Sequence, residues 1–151
     1  MKLIHQNQYA RFLGYDVRVR RDNTVKPSGN RKIRTLNYKV ELNVPFADKI
    51  MPFLFNNAII SQMYNRKIEP RARKYLIRCK DLEIITIYNS ELRGICNYYG
   101  IASNFIRLDC FAYLMEYNCL KTLTAKHSST SRKIVDKFRD GKGRWVCHIN
   151  L

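Results

Sequence analysis

Apolar and polar positions alternate twice near the amino end of the chain: Tyr9, Phe12, Tyr15, Val17 and Val19, then Ile33, Leu36, Tyr38, Val40, Leu42 and Val44. Period-two alternation rich in aromatic and β-branched residues predicts two half-buried strands. Between them, Asp22-Asn-Thr and Lys26-Pro-Ser-Gly-Asn-Arg-Lys-Ile supply turn chemistry, so the pair is expected as a β-hairpin with a basic tip. Two strands alone are marginal in water, so this hairpin must pack on something else. Pro45-Phe-Ala-Asp-Lys-Ile-Met then predicts a strand exit into a short helix ending near Asn57. The stretch Asn65-Arg-Lys-Ile-Glu-Pro-Arg-Ala-Arg-Lys, centred on Pro70, is expected as a linker or loop feeding another short helix.

Beyond residue 80 the period changes. Ile84, Ile85, Tyr88, Leu92, Ile95, Cys96 and Tyr99 recur at three- and four-residue spacing, which predicts an amphipathic helix. Asp81 and Glu83 lie in its first turn, where the helix dipole favours acids, and Gly100 stands where a C-terminal stop belongs. A second run, Phe105, Leu108, Phe111, Ala112, Met115, Cys119 and Leu123, predicts a helix capped at Ser103 or Asn104 and ending near His127. The short break between the two helices makes them antiparallel neighbours. After Ser128-Ser-Thr-Ser, a last short helix carries Ile134, Val135 and Phe138, and Asp140-Gly-Lys-Gly turns into Trp145-Val-Cys-His-Ile. The fold class is therefore α+β, an N-terminal β-hairpin followed by a mainly helical bundle. The expected boundaries are 1–44 for the hairpin, 45–140 for the helical part and 141–151 for a tail.

Composition narrows the function. The 151 residues suffice for one domain or two small ones, and 46% hydrophobic residues are enough for a packed core. The chain holds 28 Lys and Arg against 12 Asp and Glu, a net charge of +16. A field of that size costs stability by self-repulsion unless a polyanion neutralises it, which makes nucleic acid the default partner. The charge is graded: 10 basic and 3 acidic residues in 1–44, 8 and 2 in 45–80, and 10 and 7 in 81–151. The amino end has no apolar signal-like core, and the longest apolar runs fall far short of the ~20 residues that span a bilayer. Five cysteines, an odd number without a Cys-x-x-Cys pair, are expected as reduced, buried thiols. The expected location is the bacterial cytoplasm or an organellar matrix, with no membrane partner.

No catalytic carboxylate pair, phosphate-binding glycine loop or nucleophile–base motif stands out. The only conceivable zinc set, Cys119, His127, Cys147 and His148, matches no ligand spacing. The basic clusters carry more. Arg18, Arg20, Arg21, Lys26, Arg31, Lys32 and Arg34 decorate the hairpin with only Asp16 and Asp22 nearby, which favours phosphate contact over a merely solvated strand face. Arg66, Lys67, Arg71, Arg73 and Lys74, with Arg78 and Lys80, form a denser run of the same kind. In Arg93-Gly-Ile-Cys-Asn-Tyr-Tyr, Asn97, Tyr98 and Tyr99 either stack on nucleotides or serve as core aromatics with a polar tip. Lys121 and Lys126 either bind a ligand or stabilise the helix dipole.

The order of three elements resembles group II intron maturases: Arg11-Phe-Leu-Gly-Tyr, Glu91-Leu-Arg-Gly-Ile-Cys-Asn-Tyr-Tyr-Gly-Ile-Ala, and Lys121-Thr-Leu-Thr-Ala-Lys-His. The resemblance implies that 1–44 is the edge of a reverse-transcriptase palm and the rest a thumb-like domain X. It implies binding of intron RNA, with Arg93, Asn97, Tyr98, Tyr99, Lys121, Lys126 and His127 as contacts. It also implies a grip on an RNA/DNA template–primer duplex beside a separate palm chain. The Tyr-Ala-Asp-Asp motif is absent, so no cofactor is expected in this chain; Mg²⁺ would belong to the palm, and the chain alone is expected to be inactive as a polymerase.

Overall fold

The computed structural model describes residues 9–20, 25–34, 39–62 and 68–139, with the backbone alone for Lys26, Arg34 and Gln62. They form two compact units, one of Met1–Pro45 with Tyr99–Phe105, the other of Phe46–Tyr98 with Ile106–Leu151. The α+β class holds, but the first alternating run is two strands rather than one. Strand β1 (Ala10–Phe12) turns back at Leu13-Gly14 into β2 (Tyr15–Val19), with Phe12 opposite Tyr15. Both turn residues have positive φ, 45° at Leu13 and 74° at Gly14, the geometry that matches the twist of a two-residue hairpin. The turn puts Phe12 and Tyr15, three residues apart, on one face, so it shifts the alternation by one residue; the only trace in the sequence is the three-residue spacing of Tyr9, Phe12 and Tyr15.

Strand β2 also pairs with β5 (Val40–Asn43), giving a three-stranded antiparallel sheet in the order β1-β2-β5. The basic tip forms a separate ribbon of β3 (Val25–Ser28) and β4 (Arg31–Arg34), turning at Gly29 with φ 59°. The outer edge of β5 is closed from within the same unit. Ser103 N donates to Leu42 O at 2.7 Å, and the Asn104 side chain accepts from Val44 N at 2.8 Å. Asn104 is therefore spent on the sheet and caps no helix. Tyr99 packs edge-to-face on Tyr15, ring centroids 5.2 Å apart, and its hydroxyl donates to Gly14 O.

In the second unit, a π turn at Phe46–Ile50 runs into α1 (Met51–Asn56), where Pro52 is tolerated in the first turn. A hairpin of β6 (Ile60–Gln62) and β7 (Ile68–Pro70) stands where a loop was expected. Two long helices follow, α2 (Asp81–Tyr98) and α3 (Leu108–Lys126), close to the expected spans, then α4 (Ser131–Lys137). α3 is the central element: Leu108, Phe111, Ala112, Leu114, Met115, Asn118, Cys119, Thr122 and Leu123 are all buried. The same unit also buries Ile84, Ile85, Tyr88, Leu92 and Cys96 of α2, which packs on α3, Ile134 of α4, and Leu54, Ile59, Ile60 and Leu76 of the preceding segment. Burial pushes the Cys96 thiol up, with Asp109 adding to the effect, so it is an inert core residue. Among the described residues no helix is long and apolar enough to cross a membrane.

Leu13 lacks the glycine or asparagine that a positive φ favours. Leu13→Asn should stabilise the first unit, and Gly14→Ala should destabilise it by about 1 kcal/mol. Urea midpoints compared with the wild type check both signs.

Candidate nucleic-acid interface

The cationic positions divide into those that face solvent and those that hold the fold. In the first unit, Arg18 Nε lies 2.8 Å and Arg20 3.6 Å from the carboxylate of Glu41, itself buried on β5. The hydrogen bond that Arg18 donates to Glu41 raises the Arg18 pKa further, and the guanidinium also lies over the Tyr9 ring. Both arginines remain about half exposed, so the pairing orients them without removing them from the surface. Arg31 and Lys32 are exposed on β4. Arg21, Arg66, Lys67, the Lys26 and Arg34 side chains and the 141–151 tail lie outside the described residues.

Arg73 corrects the expectation for its cluster. Its side chain is fully buried, with its guanidinium 2.8 Å from Glu91 Oε2 and 4.7 Å from the centre of the Tyr88 ring. Its backbone N–H donates to Thr122 Oγ1 at 3.0 Å. Tyr88 in turn donates to Asn118 Oδ1, and the Asn118 amide donates to the carbonyls of Ile59 and Arg71. Burial pushes the Tyr88 phenol far up, so it stays a neutral hydrogen-bonding group. A guanidinium enclosed in this way does not reach a phosphate. Its neighbours Arg71 and Lys74 are exposed. Tyr99 is a second correction: it is buried against Tyr15, the core-aromatic alternative.

The Lys121-Thr-Leu-Thr-Ala-Lys-His element also turns inward. Lys121 Nζ donates to Pro70 O at 2.9 Å, and Lys126 donates to Cys79 O while pairing with Asp81 at 2.6 Å. His127 Nε2 meets the other Asp81 oxygen at 2.9 Å, with Lys137 3.9 Å away. These residues thus clasp the first turn of α2 to the end of α3. Partial desolvation would raise the Asp81 carboxyl, but hydrogen bonds and charge from Lys126 and His127 hold it below the ordinary aspartate value. Each of the three side chains keeps about a quarter of its surface exposed, which leaves the clasp at the edge of the solvent-facing surface.

Arg93, Asn97 and Tyr98 share one exposed face of α2 with a residue that motif reading passed over, Gly94. A Cβ added at Gly94 would meet nothing within 4 Å. Mid-helix glycine costs about 1 kcal/mol relative to alanine, and here no neighbouring atom of the protein demands it. The signal in the sequence was a glycine inside an otherwise regular helical period. Among the described residues no group of three or more His, Cys, Asp or Glu could hold a metal ion.

Comparison with known proteins agrees with these elements. The family model for type II intron maturase matches residues 37–146. The group II intron-encoded protein LtrA of Lactococcus lactis subsp. cremoris is 59% identical over 143 residues, 95% of this chain and 24% of LtrA. The COX1/OXI3 intron 2 protein of Saccharomyces cerevisiae is 31% identical over 141 residues, 89% of this chain and 16% of that protein. Maturase K of Chara vulgaris is 36% identical over 59 residues, 39% of this chain and 11% of its own length. The chain thus spans less than a quarter of each of these relatives.

Two substitutions separate the roles. Arg73→Ala, which strands Glu91 beside a cavity, should cost about 3–5 kcal/mol, whereas Arg71→Ala should change stability by less than ~0.5 kcal/mol, both read from urea unfolding. The clasp adds a pH dependence. Because folding lowers the Asp81 pKa from an ordinary 3.8, its contribution is complete above that value and is lost as pH falls through the lower folded-state value. Asp81→Asn should flatten this acid limb in thermal melts across that range.

Proposed function

Because the chain belongs to the type II intron maturase family, we propose that it is an RNA-binding module that stabilises the folded form of a group II intron for splicing. Its action makes and breaks no bonds. Lysine and arginine side chains replace counterions along the intron phosphates, and a rigid helical body fixes where RNA helices lie. The observation that carries this reading is the exposed face of α2. There Arg93, Asn97 and Tyr98 surround Gly94, whose missing side chain leaves bare helix surface. A donor of two parallel N–H bonds, an amide and an aromatic ring are the groups that hold a ribose–phosphate backbone and a base. A bare patch between them lets that backbone approach the helix closely. Arg71 and Lys74, with Arg31 and Lys32 on the ribbon, extend the cationic surface within their own units.

A second reading, as the thumb of an intron-encoded reverse transcriptase gripping template–primer duplex, is favoured by the sheet. β1 is the outer strand of the described sheet, with Phe12 63% and Leu13 71% exposed, as at a junction with a larger palm. On that reading another polypeptide or segment supplies the catalytic aspartates and their Mg²⁺. Neither reading assigns a cofactor to this chain.

A salt titration comparing folded group II intron RNA with an unstructured RNA of equal length tests the first reading. Tighter binding to the folded intron should persist as salt rises; equal and steeply salt-sensitive binding to both would overturn it. Gly94→Ala supplies a second check. It should raise stability by ~0.5–1 kcal/mol while weakening intron binding several-fold, a combination that a purely structural glycine does not produce.

A further inference from the structure

α3 is buried on most of its circumference, and before its last turn the residues it leaves exposed form a narrow strip: Asp109, Cys110, Tyr113 and Tyr117. The exposed strip of a central helix normally carries charge. Here its middle is two tyrosine rings, stacked 6.0 Å apart and within 11° of parallel. Lys121 continues the column one turn on, its Nζ 5.3 Å from the centre of the Tyr117 ring. That ammonium is held in place by its hydrogen bond to Pro70 O. The next residue along, Arg71, is exposed, and its carbonyl accepts from Asn118, the neighbour of Tyr117. Tyr117, enclosed between Tyr113 and Lys121, is 39% exposed, whereas Tyr113 at the open end is 62% exposed.

An i,i+4 aromatic pair contributes only a few tenths of a kcal/mol to its own helix, and burying these rings would have contributed more. What the column offers instead is a flat, electron-rich face at one end and fixed positive charge at the other. That suits a short stretch of single-stranded RNA, with an unpaired base on the open Tyr113 face and a phosphate further along the strand at the cations. Asp109 stands one turn before Tyr113, at the end away from Lys121, and Glu116 lies beside the two rings.

We propose that the Tyr113–Tyr117 column on α3 is a stacking platform for an unpaired nucleobase of bound RNA, with a phosphate further along the same strand toward Lys121 and Arg71. The platform rests on the RNA-binding reading and adds to it a second surface, separate from the α2 face, that selects unstacked bases over duplex. A second copy of the chain is the competing occupant of such an aromatic strip. The net charge of +16 and the cations at its end favour a polyanion over a like-charged copy.

The test uses the full chain with two probes, a short oligoadenylate and folded group II intron RNA. The double variant Tyr113→Ala/Tyr117→Ala should lose about tenfold or more in oligoadenylate affinity, by the same factor at every salt concentration, because stacking releases no counterions. The Phe/Phe variant at the same positions should bind like the wild type, and Arg71→Ala should instead reduce the salt slope. Unchanged oligoadenylate affinity in the Ala variant, with wild-type binding intact, would overturn the platform alone. So would an equal loss in the Phe variant, or a concentration-dependent dimer of the wild type that the Ala variant abolishes. Wild-type protein that binds neither probe would overturn the RNA-binding reading itself.

Discussion

The helical unit depends on one buried charge. Arg73 has no exposed surface, and a guanidinium taken from water must be matched or the fold that encloses it is lost. Glu91 on α2 supplies the counter-charge, the Tyr88 ring covers the guanidinium, and Thr122 on α3 accepts from the Arg73 backbone. The segment after β7 is thereby tied to both long helices at a single point. Asn118 extends the tie by holding the carbonyls of Ile59 and Arg71, which fixes the β6–β7 hairpin beside α3. Apolar contact alone would give these helices stability with little preference for one register. A buried polar cluster with the Arg73–Glu91 ion pair at its centre costs least in one arrangement, and that supplies the register.

That constraint changes the meaning of the signature elements. Glu91, Lys121, Thr122, Lys126 and His127 belong to the motifs by which the chain resembles intron maturases, and all five engage other parts of the same unit. The electrostatics give the reason. A strongly cationic chain must prevent its own charges from repelling one another, and it does so by spending scarce acids at central positions. Glu41 serves two arginines on the sheet, and Asp81 serves Lys126, His127 and Lys137 at the start of α2. The cations left facing solvent, such as Arg71, Lys74 and Arg93, are then available to a polyanion at little further cost.

The surface itself is economical in type. On α2 the exposed groups are an arginine, an amide and a tyrosine around bare backbone, and on α3 they are stacked rings ending in a lysine. On the proposed RNA-binding reading, the first leaves room for a ribose–phosphate chain and the second offers a base-sized plane. They sit on the two helices whose opposite faces make the core, so the same rigidity that defines the fold also fixes both surfaces.

The sequence by itself determined the class of the fold, the spans of α2 and α3, and the cationic character of the chain. These follow from local period and composition, which each residue carries wherever it is placed. It did not show the β1–β2 turn, because Leu13-Gly14 shifts the phase of the alternation by a single residue in a run too short to register it, nor the β6–β7 hairpin, whose strands are too short to establish a period. It placed Arg73 with Arg71 and Tyr99 with Tyr98, since neighbours in sequence share a composition. Only the tertiary structure decided which of each pair faces water. Burial of a charge is settled by partners distant along the chain, Glu91 and Thr122 for Arg73, and burial of a ring by Tyr15 for Tyr99. No local pattern records the distances at which those partners meet.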